Sequence, residues 1–331
     1  MKDTKKPELP VLAIDIGGTK IITALISNKG RVMAKEYHLT LAEEGPPSVI
    51  NRILSAIDHL LKTINTDLSR LNSISIAAAG AINFEKGIVT SSPNLPGWVD
   101  IPLRDIVEEK YKINTFLIND ASAAALAEHR CGAGKGTNNL VYLTVSTGIG
   151  SGIIISGKLY MGTCGSAGEI GHMTIDVNGT RDSCGNTGCL EALASGVAVA
   201  KEAIKRIIRG EVSYLTEIVA GKMEDITAEK VSEAAQSGDS LALDVIMQAA
   251  TYLGVGLVNV VNILNPEIIV IGGGMAQMGN LLLNPARKVV KERAFALSSG
   301  VVRIVPAQLG NNAEVIGAAI FAHQQNTRRY T

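Results

Sequence analysis

The spacing of apolar positions divides the chain into strands and helices in an order that partly repeats. Residues 11–26, VLAIDIGGTKIITALI, carry two β-type apolar runs on either side of a glycine turn, which predicts a hairpin. A third strand follows near 31–39. Residues 46–64 set Val49, Ile50, Ile53, Leu54, Ile57, Leu60, Leu61 and Ile64 at helical spacing, which predicts a core-facing helix. Residues 74–79 read as a buried strand ending at Gly80, 90–98 (TSSPNLPGW) as a loop of turn formers, and 115–118 as a strand that delivers Asn119 and Asp120 to an alanine-rich helix. Residues 139–159 then repeat the opening pattern of strand, glycine bend and strand. Beyond them 192–238 is mostly helical, with a softer stretch at 209–213, and 242–264 is a helix apolar nearly all round, expected to lie between layers. A strand at 267–271 ends in three glycines, 301–308 is the last strand, and an alanine-rich amphipathic helix closes the fold. The final residues, QQNTRRYT, are expected to fray.

Two glycine hairpins roughly 130 residues apart, each heading an α/β segment, suggest an internally duplicated fold with two phosphate loops facing each other across a cleft. At 331 residues the chain suffices for two lobes of about 150 residues each. No flexible linker separates the halves, so the lobes are expected to be joined by more than one crossing of the chain.

Composition narrows the partners. Lysine plus arginine and aspartate plus glutamate both number 31, so no net field draws nucleic acid or an anionic membrane. No run reaches the roughly eighteen uninterrupted apolar residues of a membrane helix, and the basic start, MKDTKKPELP, leads into a strand without a leader-like apolar region. The protein is expected to be cytoplasmic. Four cysteines, two of them clustered, favour a metal over a disulfide framework in a reducing compartment.

The candidate chemistry lies at the glycine bends and in 168–191, GEIGHMTIDVNGTRDSCGNTGCLE. Gly17 and Gly18 let backbone N–H groups approach an anion, Thr19 and Lys20 add a hydroxyl and a cation, and Asp15 is placed to hold a metal-bound water; a plain hairpin turn is the alternative. Thr147, Gly148, Gly150 and Gly152 form the second bend. Gly272, Gly273 and Gly274 permit close approach of a flat ring or a phosphate. A dinucleotide fingerprint fits less well, because a strand and not a helix follows each bend. Asp120, at a strand tip, is either the base that takes a hydroxyl proton or the N-cap of the next helix. Asn94 could bind a polar ligand, and Trp98 is read as packing. Within 168–191, Glu169 and His172 share one turn, followed by Cys184, Cys189 and Glu191, the makings of a metal-stapled loop facing a hydroxyl-rich molecule. Together these features describe phosphoryl transfer, which needs backbone donors and Mg²⁺ on the phosphates and one proton acceptor.

The run DIGGTK, then SPNLPGW, LINDASAAALAE, STGIGSG, GEIGH, SCGNTGCLEALASG, IVIGGG and EVIGAA, resembles the ROK family of sugar kinases and repressors over nearly the whole length. The resemblance implies an actin-like, hexokinase-type fold of two α/β lobes, with ATP and Mg²⁺ in the cleft and a homodimer or homotetramer. The lobes would comprise 10–118 with 313–327, and 119–312. It implies Asp120 as the base with Asn119 gripping the sugar ring, and Gly80, Asn94, Glu169, His172 and Glu191 on sugar hydroxyls. Asp15, Gly17, Gly18, Thr19, Thr147, Gly148 and Gly150 match the family's phosphate loops, and Gly273 and Gly274 its nucleotide side. The family's structural zinc motif, CxCGxxGCxE with the histidine of ExGH, is matched by His172, Cys184 and Cys189, but Asp182 occupies the first cysteine position. Zinc accepts carboxylate oxygen, so Asp182 is a candidate ligand, with Cys164 as the alternative.

Within the family the ATP-dependent glucokinases are the nearest likeness, which implies glucose as acceptor. A kinase for N-acetylmannosamine, N-acetylglucosamine or another hexose shares the same ring contacts. A sugar-responsive repressor is disfavoured by neutral charge and by the short stretch before Val11, where repressors carry a DNA-binding segment.

Overall fold

The computed structural model describes residues 9–329. The chain forms two compact units, one from the residues up to 135 with 159–167 and those from 309 onward, the other from 136–158 and 168–308.

In the first unit β1 (Val11–Ile16) and β2 (Lys20–Ile26) make the expected hairpin, and β3 (Val32–Leu39) adds an antiparallel edge strand. The helix α1 (Pro46–Thr63) begins with prolines at its first two positions, where a missing N–H is harmless, and buries Val49, Ile53, Ile57 and Leu60. Next come β4 (Ser73–Ala78) and a small antiparallel sheet of β5 (Ala81–Asn83), β6 (Ile88–Ser91) and β7 (Val99–Ile101). Thr90 and Ser91 therefore belong to a strand and not to the expected loop. Strands of three or four residues are too short to show a clear period, and β5 to β7 escape sequence reading for that reason. The helix α2 (Leu103–Tyr111), β8 (Thr115–Asn119) and α3 (Asp120–Cys131) follow. The main sheet has the order β3-β2-β1-β4-β8, with β1, β4 and β8 parallel. On one face Leu12, Ile14, Ile16, Ile74 and Ile76 share a core with α1 and α2.

The second unit opens with the hairpin of β9 (Leu140–Val145) and β10 (Ile149–Ile155), and β11 (Lys158–Tyr160) is the edge strand at the boundary. Gly150 and Gly152 lie inside β10, so the bend is confined to Ser146, Thr147 and Gly148. Helices α4 (Leu190–Ala194), α5 (Gly196–Ile208), α6 (Leu215–Ile218), α7 (Ala228–Gln236) and α8 (Ser240–Leu264) precede β12 (Ile268–Gly272). Then α9 (Asn280–Arg293) and α10 (Ala296–Val301) lead to β13 (Arg303–Pro306). By length and composition α8 could cross a membrane, but Leu253, Leu257, Val261 and their neighbours bury it in the core of this unit. The sheet order β11-β10-β9-β12-β13 repeats that of the first unit strand for strand. The expected duplication is thus present in the topology.

The last helix, α11 (Ala313–Arg329), returns to the first unit and packs on β1, β4 and α3. It stays helical through 324–329, where fraying was expected; Tyr330 and Thr331 lie outside the described residues, as do residues 1–8. Because α3 lies along α11, residues 119–135 stay with the first unit and the division does not fall at 118. Both helices use small residues where they meet. A side chain at Gly317 would run into the backbone carbonyl of Ala123.

Gly317→Ala separates two opposing effects. Alanine is a better helix former by about 1 kcal/mol, whereas forcing a methyl group against a backbone costs roughly 1–3 kcal/mol. Net destabilisation is expected by urea unfolding, and a variant as stable as the parent would show that α11 moves aside freely.

Candidate active site and metal loop

The parallel register of β1, β4 and β8 aligns their carboxyl ends, pairing Asp15 with Ala77 and Ala78 with Asn119. Ligands of such sheets collect beyond those ends. Asn119, the last residue of β8, is the N-cap of α3: its Oδ1 accepts from the Ser122 N–H at 3.0 Å. Asp120 is therefore not the cap. The Asn119 Nδ2 donates to the Gly80 carbonyl at 3.1 Å and to Asp120 Oδ1 at 3.0 Å, and the same Asp120 oxygen accepts the Ala121 N–H at 2.8 Å. The Asp120 carboxylate is thus oriented at a helix N-terminus, where the backbone dipoles favour negative charge. Gly80 follows β4 at φ +106°, with the Ser91 carbonyl where a side chain would stand, so the turn that receives Asn119 requires glycine.

Asp15 is buried at the end of β1. Burial first, then the negative charges of Glu314 and Asp120, raise its carboxyl well above the usual range, and Lys20 offsets part of this. Glu314, in the first turn of α11, is pushed up to about 7, chiefly by burial; its own backbone N–H opposes this, Asp120 and Glu128 add to it, and Lys20 offsets part. Asp15, Asp120 and Glu314 therefore form one electrostatic group around Lys20. The glycine turn is braced from β3's end: Thr40 Oγ1 donates to the Gly17 carbonyl at 2.7 Å and the Thr40 N–H to Thr19 at 2.9 Å. Gly18 lies against Asn94, with no room between them for a side chain, so Asn94 joins this turn. Trp98 is 1% exposed and packs in the core, as expected.

In the second unit Glu191, on α4, reaches back to the other glycine bend. Its Oε2 accepts the Ile149 N–H at 2.6 Å and presses on Gly148. One oxygen of this expected sugar ligand therefore braces the bend. Residues 174–189 form a small hairpin through the bridges Thr174–Cys189 and Arg181–Thr187. That fold gathers His172, Asp182, Cys184 and Cys189, whose donor atoms all lie within 4.8 Å of one another. His172 Nδ1 is 3.1 Å from Asp182 Oδ2, Cys184 Sγ is 3.1 Å from the same oxygen, and the two sulfurs are 3.7 Å apart. His172 Nε2 faces Glu169 at 3.9 Å. Cys164 is exposed and outside this group, so it neither packs nor replaces Asp182 in it.

The Asp182 side chain is only 6% exposed. Burial pushes its carboxyl up, but hydrogen bonds from Cys184, Cys189, the Ser183 N–H and His172 outweigh this and leave it below the ordinary value. Burial, Asp182 and Cys184 push the Cys189 thiol up to about 12. A nearly buried carboxylate among two thiols and an imidazole is a donor set that fits zinc, which binds nitrogen, sulfur and carboxylate oxygen in tetrahedral sites.

A cavity of about 600 Å³ lies beside the second bend. Ser146, Thr147 and Gly274 form one wall, Val197, Ala200 and Ile204 another, and Lys201, Glu229 and Gln236 contribute polar groups. Gly273 turns the chain over the end of β9, beside Val145. The α5 and α7 residues of this cavity, and Glu314, are absent from the sequence reading. Glu314 carried a signal, as the single carboxylate in the run AEVIGAAIFA.

Known proteins resemble the chain in sequence and fold. A glucokinase of Thermotoga maritima is 35% identical, over 95% of this chain and 97% of its own. A crystal structure of a ROK family glucokinase from Streptomyces griseus in complex with glucose and AMPPNP superposes with a TM-score of 0.83, at 32% identity over 95% of this chain and 99% of that one. A xylose repressor of Caldicellulosiruptor bescii is 33% identical, over 93% of this chain and 76% of its own. The duplicated fold is that of the ATP-dependent sugar kinases of actin-like, hexokinase type. The ROK family profile matches residues 11–325, and the chain belongs to that family.

The raised carboxyl of Glu314 has a consequence for stability. Its folded value of about 7 exceeds the unfolded value near 4.3, so the folded state holds the proton more tightly. Its contribution is complete below about pH 4 and is lost as pH rises through 7. Urea unfolding of the chain should show stability falling between about pH 4 and 7 by on the order of 1–3 kcal/mol, and Glu314→Gln should flatten that fall. An unchanged slope in the variant would remove Glu314 as its source.

Proposed function

We propose that the chain transfers the γ-phosphoryl group of ATP to the 6-hydroxyl of a hexose, with glucose the preferred acceptor and Asp120 the general base. The observation that carries this reading is the Asp120 carboxylate, oriented at the tip of β8 by Asn119 and the Ala121 N–H. Asp120 takes the hydroxyl proton as the sugar oxygen attacks phosphorus and ADP departs. In a loose phosphoryl-transfer transition state that proton is lost late, so a positioned carboxylate suffices. Asn119, Gly80, Asn94, Glu169, His172 and Glu191 serve the sugar. Gly17, Gly18, Thr19 and Lys20 of the first glycine bend, and Thr147, Gly148 and Gly150 of the second, serve the phosphates.

The cavity beside Gly273 and Gly274 has the size for a nucleoside, which supports ATP over polyphosphate as donor. Asp15 would hold a water bound to Mg²⁺, and the repulsion among Asp15, Asp120 and Glu314 supports a cation there. Magnesium supplies charge neutralisation on the phosphates. His172, Asp182, Cys184 and Cys189 would hold a structural zinc that fixes the loop bearing Glu169 and His172. Balanced charge and sparse cysteine support a cytoplasmic setting.

The glucokinases of Thermotoga maritima and Streptomyces griseus support glucose as acceptor. The likeness to a xylose repressor supports a second reading, sugar sensing without transfer. That reading requires sugar binding by calorimetry with no ADP formed.

A coupled ADP assay over hexoses and N-acyl hexosamines tests the proposal. Glucose- and Mg²⁺-dependent ADP release is expected, with Asp120→Asn reducing kcat by about 10²–10⁴-fold. Full activity in that variant would remove Asp120 as the base, and preference for an N-acyl sugar would move the acceptor. Removing zinc with a chelator, or Cys184→Ser, should raise the sugar KM more than it lowers kcat, because the affected loop binds and does not react. A kcat loss at unchanged KM would contradict a purely structural metal.

A further inference from the structure

On the outer edge of the first unit's sheet, three side chains with no part in the proposed reaction converge. Glu36 and His38 are two residues apart on β3 and so share one face of the strand. His59 projects from α1, which packs against β3. His59 Nδ1 is 2.7 Å from Glu36 Oε2, and His38 Nε2 is 3.6 Å from the same oxygen. One donor atom from each residue lies within 4.8 Å of the others. The geometry points to a second metal site, Glu36, His38 and His59, that takes a divalent first-row transition cation of the zinc class.

The alternative is a simple ion pair between His59 and Glu36. It accounts for the short contact but not for His38. The His38 Nε2 is buried and has no hydrogen-bond partner among the described residues, although it faces the Glu36 carboxylate. An exposed ion pair contributes about 0–1 kcal/mol, while a buried nitrogen left without a partner costs roughly 1–3 kcal/mol. A cation between the three side chains removes that cost and uses every donor.

Bond lengths agree. Zinc binds imidazole nitrogen at about 2.0–2.1 Å and carboxylate oxygen at about 2.0–2.2 Å, so tetrahedral ligands stand roughly 3.3–3.5 Å apart. The observed 2.7 and 3.6 Å bracket that range, and shifts well under about 1 Å suffice. The two imidazoles meet edge to face, with centroids 5.9 Å apart and planes at 84°, rather than stacked. Thr63, one turn beyond His59 on α1, hydrogen-bonds to Glu36 and fixes the carboxylate, as outer partners do at metal sites. Two histidines and a glutamate leave the fourth tetrahedral position to water on the exposed His59 side. The ion ties the edge strand to α1, two residues before the Thr40 that braces the Gly17–Thr19 turn.

The loop cysteines must be kept apart from this site in any test. Full-length chain carrying Cys184→Ser and Cys189→Ser, dialysed against Zn²⁺ and analysed for bound metal, is expected to retain about one zinc per chain. Adding His59→Asn or Glu36→Gln should weaken that binding at least about tenfold; His59 is exposed enough for its replacement to leave the fold intact. In the chain with its cysteines, Co²⁺ gives a check that survives misfolding of the serine variant. His59→Asn should remove one cobalt equivalent while the thiolate charge-transfer band persists. No zinc above background in the serine variant with its fold intact, or binding indifferent to both His59→Asn and Glu36→Gln, would overturn the proposal.

Discussion

Negative charge held against burial is the constraint on which the first unit depends. Asp15 and Glu314 are pressed upward in pKa chiefly by desolvation, with Glu314 adding to the rise of Asp15 and Asp120 adding to both. A single ammonium, Lys20, opposes them. The surroundings answer in kind: the register of β1, β4 and β8 puts the carboxylates at one end of the sheet, and the start of α3 supplies backbone donors. A chain selected for stability alone would neutralise this group.

The second unit solves a related problem with different means. The same strand order recurs, and so does a glycine bend after the first strand, but here a carboxylate on a following helix holds the bend through a backbone N–H. In the first unit the brace is a threonine hydroxyl that donates to a backbone carbonyl. Duplication has conserved the place of the bend and not its support.

The parts legible in the sequence were those with a period or a motif. The hairpins at 11–26 and 139–155, the helix ending near Ile64, and the strand carrying Ile269 and Ile271 follow directly from apolar spacing. His172, Cys184 and Cys189 were legible because chelating side chains crowd one short stretch, whereas Asp182 entered only through its place in the family's zinc motif. Roles set by distant contacts were not. Asp120 was readable as base or N-cap, and an ordinary hydrogen bond gives the cap to Asn119; the bond from the Ile149 N–H to Glu191 spans 42 residues, and β5 to β7 were too short to announce themselves. His38 and His59 looked unrelated because a strand and a helix bring them together only in three dimensions.

The return of α11 to the first unit bears on how the chain is made. Residues 136–158 and 168–308 complete the second unit before the ribosome has released the segment from 309 onward. The sheet that is synthesised first therefore lacks the helix that covers β1 and β4 until the whole second unit has been made. Domains ordinarily fold in the order of synthesis; here the later-made unit is the first to have all its parts. Nascent-chain quality control would meet the face of β1 and β4 still uncovered after the second unit has all its parts.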